Sequence, residues 1–313
     1  MAGFAIGQEI KKGSTRNSPA RKPWGAIVMF LSPVMLYYLI FILYPILATF
    51  FYSFHTIEAT GGKLVTTFVG LQNFFELFAD DIFLISVKNT IIWSIVGPLM
   101  EMLVATLLAF IIFFKIPFSN FFRTAWFAPM LVSGVIVGLV FKWIFNFDWG
   151  LINVSLRAIG LDDLALNWLG RRDTPLWVVI FVHFWATFGY SFVLLLAGLS
   201  TISNELIEAA RIDGASEPQI SLKILFPMLM PTFITVLILS FMGKMRAFHI
   251  VWVLTNGGPM HFSETVATYV QKRAFGWSTL DLGYPSAIAV FWFGVVIVGV
   301  SLINRWLKTR VEY

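Results

Sequence analysis

Residues 208–231 read EAARIDGASEPQISLKILFPMLMP, a polar island between two long apolar runs. Ser203 and Asn204, just upstream, offer N-cap oxygens, and Glu205 and Glu208 fall in the early turns, where the positive end of a helix dipole favours acids. Ala209, Ala210 and Ile212 continue that short helix. Asp213-Gly214 ends it, since glycine tolerates the left-handed conformation found past helix C-termini. Ser216 restarts a helix, with Gln219 three residues on and Pro218 where no amide partner is needed. Pro227 and Pro231 then bend or delay the next segment. These residues predict a compact helix–turn–helix at a membrane surface, with a small-residue patch that another protein can approach closely.

The wording Glu208-Ala209-Ala210, then Asp213-Gly214-Ala215, then Pro227 and Pro231 closely resembles the EAA motif. That motif marks the membrane subunits of binding-protein-dependent ABC importers of the type I fold. The spacing matches throughout. Three positions depart from carbohydrate-permease wording: Pro218 replaces an aromatic, Ser221 a Phe and Phe226 a Leu. Farther on, Leu254-Thr255-Asn256-Gly257-Gly258-Pro259 resembles the LT-x-GGP wording of sugar permeases, and it equally reads as an external helix terminator with strong turn chemistry.

Composition points the same way. The chain has 313 residues, 58% of them hydrophobic and 12% charged, with mean hydropathy +0.81. A soluble domain carries about 25% charged residues, so an integral membrane protein is expected. The absence of cysteine excludes disulfides and thiolate metal sites. Four histidines without an H-E-x-x-H spacing argue against a metal centre. The net charge of +5 fits basic residues gathered at cytoplasmic helix ends better than nucleic-acid binding.

About 20 apolar residues cross a bilayer core, and six stretches meet that length. They run near Ile27–Phe54, with Pro33 and Pro45 as expected kinks, then Asn89–Phe114, Thr124–Phe145, Leu176–Leu199, Met230–Leu254 and Ser286–Asn304. Residues 1–23 form a basic tail with Lys11, Lys12, Arg16, Arg21 and Lys22, followed by a membrane domain over 24–313. The first apolar run is too long for a signal-peptide core and lacks a small-residue cleavage site, so it reads as a retained span. Even span number puts both basic termini, the second with Arg305, Lys308 and Arg310, on the cytoplasmic side. The link with Lys115 and Arg123 and the loop 200–228 then face the cytoplasm. The stretches His55–Lys88, Lys142–Pro175 and Thr255–Pro285 face outward. Arg157, Arg171 and Arg172 in the second of these run against the positive-inside rule, which long external loops obey poorly.

No G-x-x-x-x-G-K-[ST] is present, so this chain is not expected to hydrolyse ATP. His183 and Ser191 in the fourth span lie eight residues apart, roughly 12 Å along the axis, too far for direct proton transfer. An intramembrane hydrolase is therefore a weak alternative, and a His183 hydrogen-bonded between helices is the plainer reading. A proton-coupled secondary transporter is the other alternative, with only Glu101 and His183 as protonatable groups.

The fifth span holds Lys244, Arg246 and His249. A Lys or Arg at mid-bilayer costs about 2.5–3.5 kcal/mol, against about 0.3–0.6 returned by each large apolar residue. Lys244 and Arg246, two apart on a helix, take different faces; Arg246 and His249 share one, as do Ser240 and Lys244. The hypothesis is that one basic face lines the translocation pathway, with His183 and Tyr190 of the fourth span; the alternative is snorkelling toward the outer surface or a subunit-interface pair. In related permeases an Asp commonly stands where His249 stands. A basic cavity would suit an acidic substrate. Glu101 either pairs with a cation of another helix or faces a partner subunit.

The resemblance implies an all-α membrane fold of about six transmembrane helices and a bacterial inner-membrane location. It implies a second homologous permease subunit, two cytoplasmic ATPase subunits carrying ATP and Mg, and an extracytoplasmic solute-binding protein, in surrounding lipid. This chain would carry no cofactor and do no covalent chemistry. It would form the pathway for a carbohydrate. Glu208, Ala209, Ala210, Asp213, Gly214, Ala215 and Pro227 would couple it to the ATPase.

Overall fold

The computed structural model describes residues 24–60, 63–114, 116–276 and 282–308. The basic tail 1–23, Lys115 and Arg310 lie outside them. Two units are distinguished, one ending at Ala48 and one beginning at Thr49.

In the first, α1 (Trp24–Tyr38) passes through Pro33 and leads by a π-helical turn, Leu39–Leu43, into α2 (Tyr44–Tyr52), which runs on across the boundary. Pro45 has no N–H for the carbonyl four residues back, and the extra residue of a π turn accommodates that gap.

The second unit starts with an antiparallel hairpin, β1 (His55–Thr60) with β2 (Lys63–Phe68), paired from His55↔Phe68 to Thr60↔Lys63. It is the one two-stranded sheet among the described residues. Helices α3 (Gln72–Leu77) and α4 (Asp81–Phe113) follow. Then come α5 (Ser119–Phe127), α6 (Gly134–Ile144), α7 (Leu151–Ala158) and α8 (Pro175–Leu199). The chain continues through α9 (Asn204–Ile212), α10 (Glu217–Ile220), α11 (Phe226–Met245) and α12 (His249–Leu254). It closes with α13 (Val266–Gln271) and α14 (Gly283–Lys308).

Five helical stretches among the described residues are long and apolar enough to cross a membrane: 27–52, 81–113, 175–199, 217–245 and 283–307. A sixth is broken, Ser119–Leu131 meeting Gly134–Ile144 at 96°. The expected fold class holds, with two corrections to its spans. The third is bent at Val132-Ser133 rather than straight, behind a 3-10 turn over Ala128–Leu131 that contains Pro129. The fifth ends at Met245, and the expected stretch to Leu254 is completed by the separate α12. At its start that span is helical from Glu217, well before Met230. A π turn over Ser221–Leu225 takes up the missing N–H of Pro227.

The centre of the second unit is the packing of α4 on α8 and α11. An inner core joins Met102, Ala105, Ala109 and Ile112 of α4 to Phe192, Leu195 and Leu199 of α8 and to Leu229 and Val236 of α11. Ile207, Ala210 and Ile220 anchor α9 and α10 to that core. An outer core gathers Trp93, Val137, Val179, Val182, Ile250 and Val251, and a third holds α14 through Tyr284, Ile288 and Trp292.

Asp80 begins α4 as its N-cap, accepting from the amides of Ile82 at 2.9 Å and Phe83 at 3.1 Å. Its other oxygen accepts the hydroxyls of Tyr269 and Tyr284, so one carboxylate ties α4 to α13 and α14. Burial alone would raise the Asp80 pKa; the two tyrosine and two amide hydrogen bonds outweigh it and hold the carboxyl below its usual value. A lowered pKa makes the native state bind this proton less readily than the unfolded chain. The stabilisation is complete above about pH 4, the unfolded carboxylate range, and disappears as pH falls through the lowered native value. Asp80→Ala is expected to cost about 1–3 kcal/mol, from the lost cap and two hydroxyls without their acceptor. Asp80→Asn should flatten the acid limb of a thermal-midpoint-versus-pH curve.

Candidate functional site

The island at 208–231 folds as its residues dictate. Ser203 caps α9, its hydroxyl accepting from the Glu205 amide at 3.2 Å. Past the helix, Gly214 adopts φ +80°. The amide of Ala215 returns to the Ala210 carbonyl at 2.9 Å and that of Gly214 to Arg211 at 3.0 Å, closing a Schellman turn. Ser216 opens α10, with Gln219 Oε1 accepting from its amide at 2.8 Å and its hydroxyl at 3.0 Å. Arg211 straps the turn, 3.6 Å from Glu217 and 5.9 Å above the Phe114 ring.

The knuckle has two sides. Ile207, Ala210 and Ile220 face inward, so Ala210 anchors the turn and does not lie on its outer surface. Glu208, Ala209, Asp213 and Gly214 are exposed, Ala215 is half-buried, and Pro227 is exposed on α11. Ile212 is 86% exposed at the tip. Sequence reading treated Ile212 as helix continuation only; a large apolar residue at an otherwise polar turn was the available signal. Between the knuckle and the C-terminal ends of α4 and α8 lies a cavity of about 420 Å³ lined by Phe114, Arg123, Asn204, Glu208 and Arg211.

Inside the membrane region, Glu101 is the hub of a second cluster. Its Oε1 accepts from Ser191 of α8 at 2.6 Å. Its Oε2 accepts from Ser240 of α11 at 2.6 Å and from the Lys244 ammonium, which also donates to Ser240 Oγ at 2.8 Å. Glu101 and Lys244 are 2% and 3% exposed. Glu101 thus pairs with a cation of another helix within the chain, and Lys244 is internal. Lys244 therefore does not snorkel: it is buried and paired within the chain. Ser191 serves Glu101 and not His183.

His183 stands edge-on to Trp93, with ring centroids 5.1 Å apart. Neither His183 Nδ1 nor Trp93 Nε1 has a hydrogen-bond partner among the described residues, so the expected interhelical hydrogen bond through Nδ1 is not made. Trp93 and Lys244 both abut Gly97, which draws these groups into one patch. Tyr190 is 38% exposed on α8. Arg246 and His249 are exposed, but they lie on either side of the interruption between α11 and α12. They therefore share no single helix face, and the expected i, i+3 relation between them is not formed.

The turn after Leu254 terminates α12 and does more. Glu264, fully buried, accepts from Thr268 at 2.5 Å and Lys272 at 2.5 Å, and lies 2.8 Å from His261 Nδ1. Asn89 of α4 donates to the carbonyls of Glu264 at 2.9 Å and Phe262 at 3.1 Å. The loop is thereby fastened to the N-terminal half of α4. Sequence reading passed over Glu264 because its partners are assembled only by the folded loop.

Residues 101–313 match the family described as binding-protein-dependent transport system inner membrane component. The chain belongs to this family. It is 33% identical to the probable ABC transporter permease protein YurN of Bacillus subtilis, over 91% of this chain and 96% of that protein. It is 32% identical to the arabinooligosaccharides transport system permease protein AraP of the same organism, over 90% and 87% of the two chains. The crystal structure of a bacterial ABC transporter involved in import of the acidic polysaccharide alginate contains a chain of the same fold. The TM-score is 0.78 at 23% identity, covering 92% of this chain and 96% of that one. As an inner membrane component of a binding-protein-dependent system, this permease carries the EAA knuckle between its fourth and fifth spans.

Proposed function

We propose that this chain is one of two permease subunits forming the pathway for a carbohydrate delivered by a solute-binding protein, driven by two cytoplasmic ATPase subunits that hold ATP and Mg. The observation that carries the reading is the knuckle: a rigid Schellman turn, anchored by Ile207, Ala210 and Ile220, that presents Glu208, Ala209, Ile212, Asp213 and Gly214 outward. An exposed Ile at 86% on a capped, strapped turn favours burial against a partner. The knuckle is continuous with α11, so a push at Gly214 travels along a packed helix toward Arg246. Relatives named for sugar transport support carbohydrate as the substrate class. In this reading both termini and the knuckle lie on the cytoplasmic side, as the basic residues at both chain ends favour.

Of the five pathway residues expected from sequence, the proposal retains Arg246, His249 and Tyr190, which are exposed, and leaves Lys244 and His183 as internal supports. With Lys244 paired to Glu101, an acidic substrate would meet Arg246 and His249 alone.

Gly214→Glu tests the coupling. A residue with a Cβ at φ +80° costs about 1–2 kcal/mol locally, and nothing lies within 4 Å of the Cβ position, so the new side chain projects outward. The expected result is wild-type membrane insertion with sugar uptake lost while ATP hydrolysis by the assembled complex persists. Wild-type uptake per ATP would count against docking through this turn.

A further inference from the structure

Helix α11 stops among buried side chains, Lys244 and Met245 being 3% and 4% exposed. Glu101, the contact of its last turn, lies ~30 Å from the N-terminal end of α4 and ~18 Å from its C-terminal end. At Met245 helical geometry ends, Arg246 taking φ −118° and ψ 9°, and α12 resumes at His249. A helix end away from water leaves carbonyls that need donors. Here Trp292 Nε1, on α14, donates to the Met245 carbonyl at 2.8 Å, and the Ala247 amide reaches the Lys244 carbonyl at 3.3 Å. One residue before Met245, Lys244 is held by Glu101, itself held by Ser191 of α8. The interruption is thus gripped from α4 and α8 on one side and α14 on the other.

We propose that Glu101, through Lys244, and Trp292 are positioning residues that fix where the fifth span breaks, and so where Arg246 and His249 stand. This rests on the reading of the chain as a pathway-forming subunit. A break gripped on two sides moves as one body with α4 and α8. Released, it samples several positions, and the ATP-driven motion no longer reaches Arg246 and His249 in a defined geometry.

The chain contains no cysteine, so nitroxide labels at Leu239→Cys and His249→Cys report directly across the break in the assembled complex. Two variants loosen the grip. Trp292→Phe removes the indole donor, and Glu101→Gln/Lys244→Met removes both charges together. Each is expected to broaden the label-to-label distance distribution several-fold. In the unlabelled complex each should raise ATP hydrolysis without binding protein several-fold. The combined variant should show less than the sum, because both act on one break. A narrow wild-type distribution and wild-type ATP hydrolysis in Trp292→Phe would overturn the inference, even where the double variant fails to assemble. Should the unmodified chain show no ATPase partner, the functional reading fails and this inference with it; a coupled parent complex with unaltered variants defeats the inference alone.

Discussion

Glu101→Gln, made alone, is expected to destabilise the protein by about 3–5 kcal/mol, the range seen when one partner of a buried pair is removed. The neutral amide can still bond Ser191 and Ser240. It cannot compensate the Lys244 ammonium, which is 3% exposed and lies amid three packed helices. The expected readout is a steep fall in folded, detergent-extractable protein and in thermal midpoint. Adding Lys244→Met should recover most of the loss, since an apolar replacement of a buried pair is often neutral or stabilising. A Glu101→Gln protein as stable as the parent would mean that Lys244 finds another anion or water, contrary to the geometry.

Gly189→Ala is expected to lower the thermal midpoint. Alanine in a helix normally gains about 1 kcal/mol over glycine. At Gly189 the sign reverses. A Cβ there would stand 2.1 Å from the Trp126 carbonyl oxygen and 3.0 Å from Phe127 Cα, both backbone atoms of α5. Backbone cannot rotate aside as a side chain can, so α8 and the first half of the broken third span must separate. Overpacking of this kind costs about 1–3 kcal/mol and occasionally more. Gly243→Ala on α11, where nothing lies within 4 Å, is the control and should be neutral or mildly stabilising. Equal thermal midpoints for the two variants would contradict the close approach of α5 and α8.

Much of this was legible in the chain because the deciding signals are local. The Ser203 cap, the Asp213-Gly214 stop and the Ser216/Gln219 restart each need neighbours within a few residues, and each forms as read. The spans follow from apolar length alone. The misses share a cause. Lys244 seemed to need a cavity because its anion, Glu101, lies 143 residues away in sequence and only packing brings it near. The break after Met245 has no proline or glycine at Arg246–Phe248 to announce it; its support, Trp292, is again remote. The bend at Val132-Ser133 follows a visible Pro129, yet uniform hydropathy across 124–145 masked it. The hairpin at 55–68 could have been found: Gly61-Gly62 between runs rich in Thr and Val is a strong hairpin signal. Reading the outer stretch only for turns and aromatics passed over it.

In the proposed importer, the knuckle at 208–215 is pressed against a separate ATP-hydrolysing subunit. The most direct test of this contact is a photo-activated crosslinker on Ile212→Cys, the single thiol in an otherwise cysteine-free chain, applied to the complex in native membranes. A covalent adduct with an ATPase subunit is predicted, formed in high yield and abolished when Glu208, Ala209, Asp213 and Gly214 are replaced around that cysteine. A label that reacts only with water or lipid, in a complex that still imports its sugar, would contradict it.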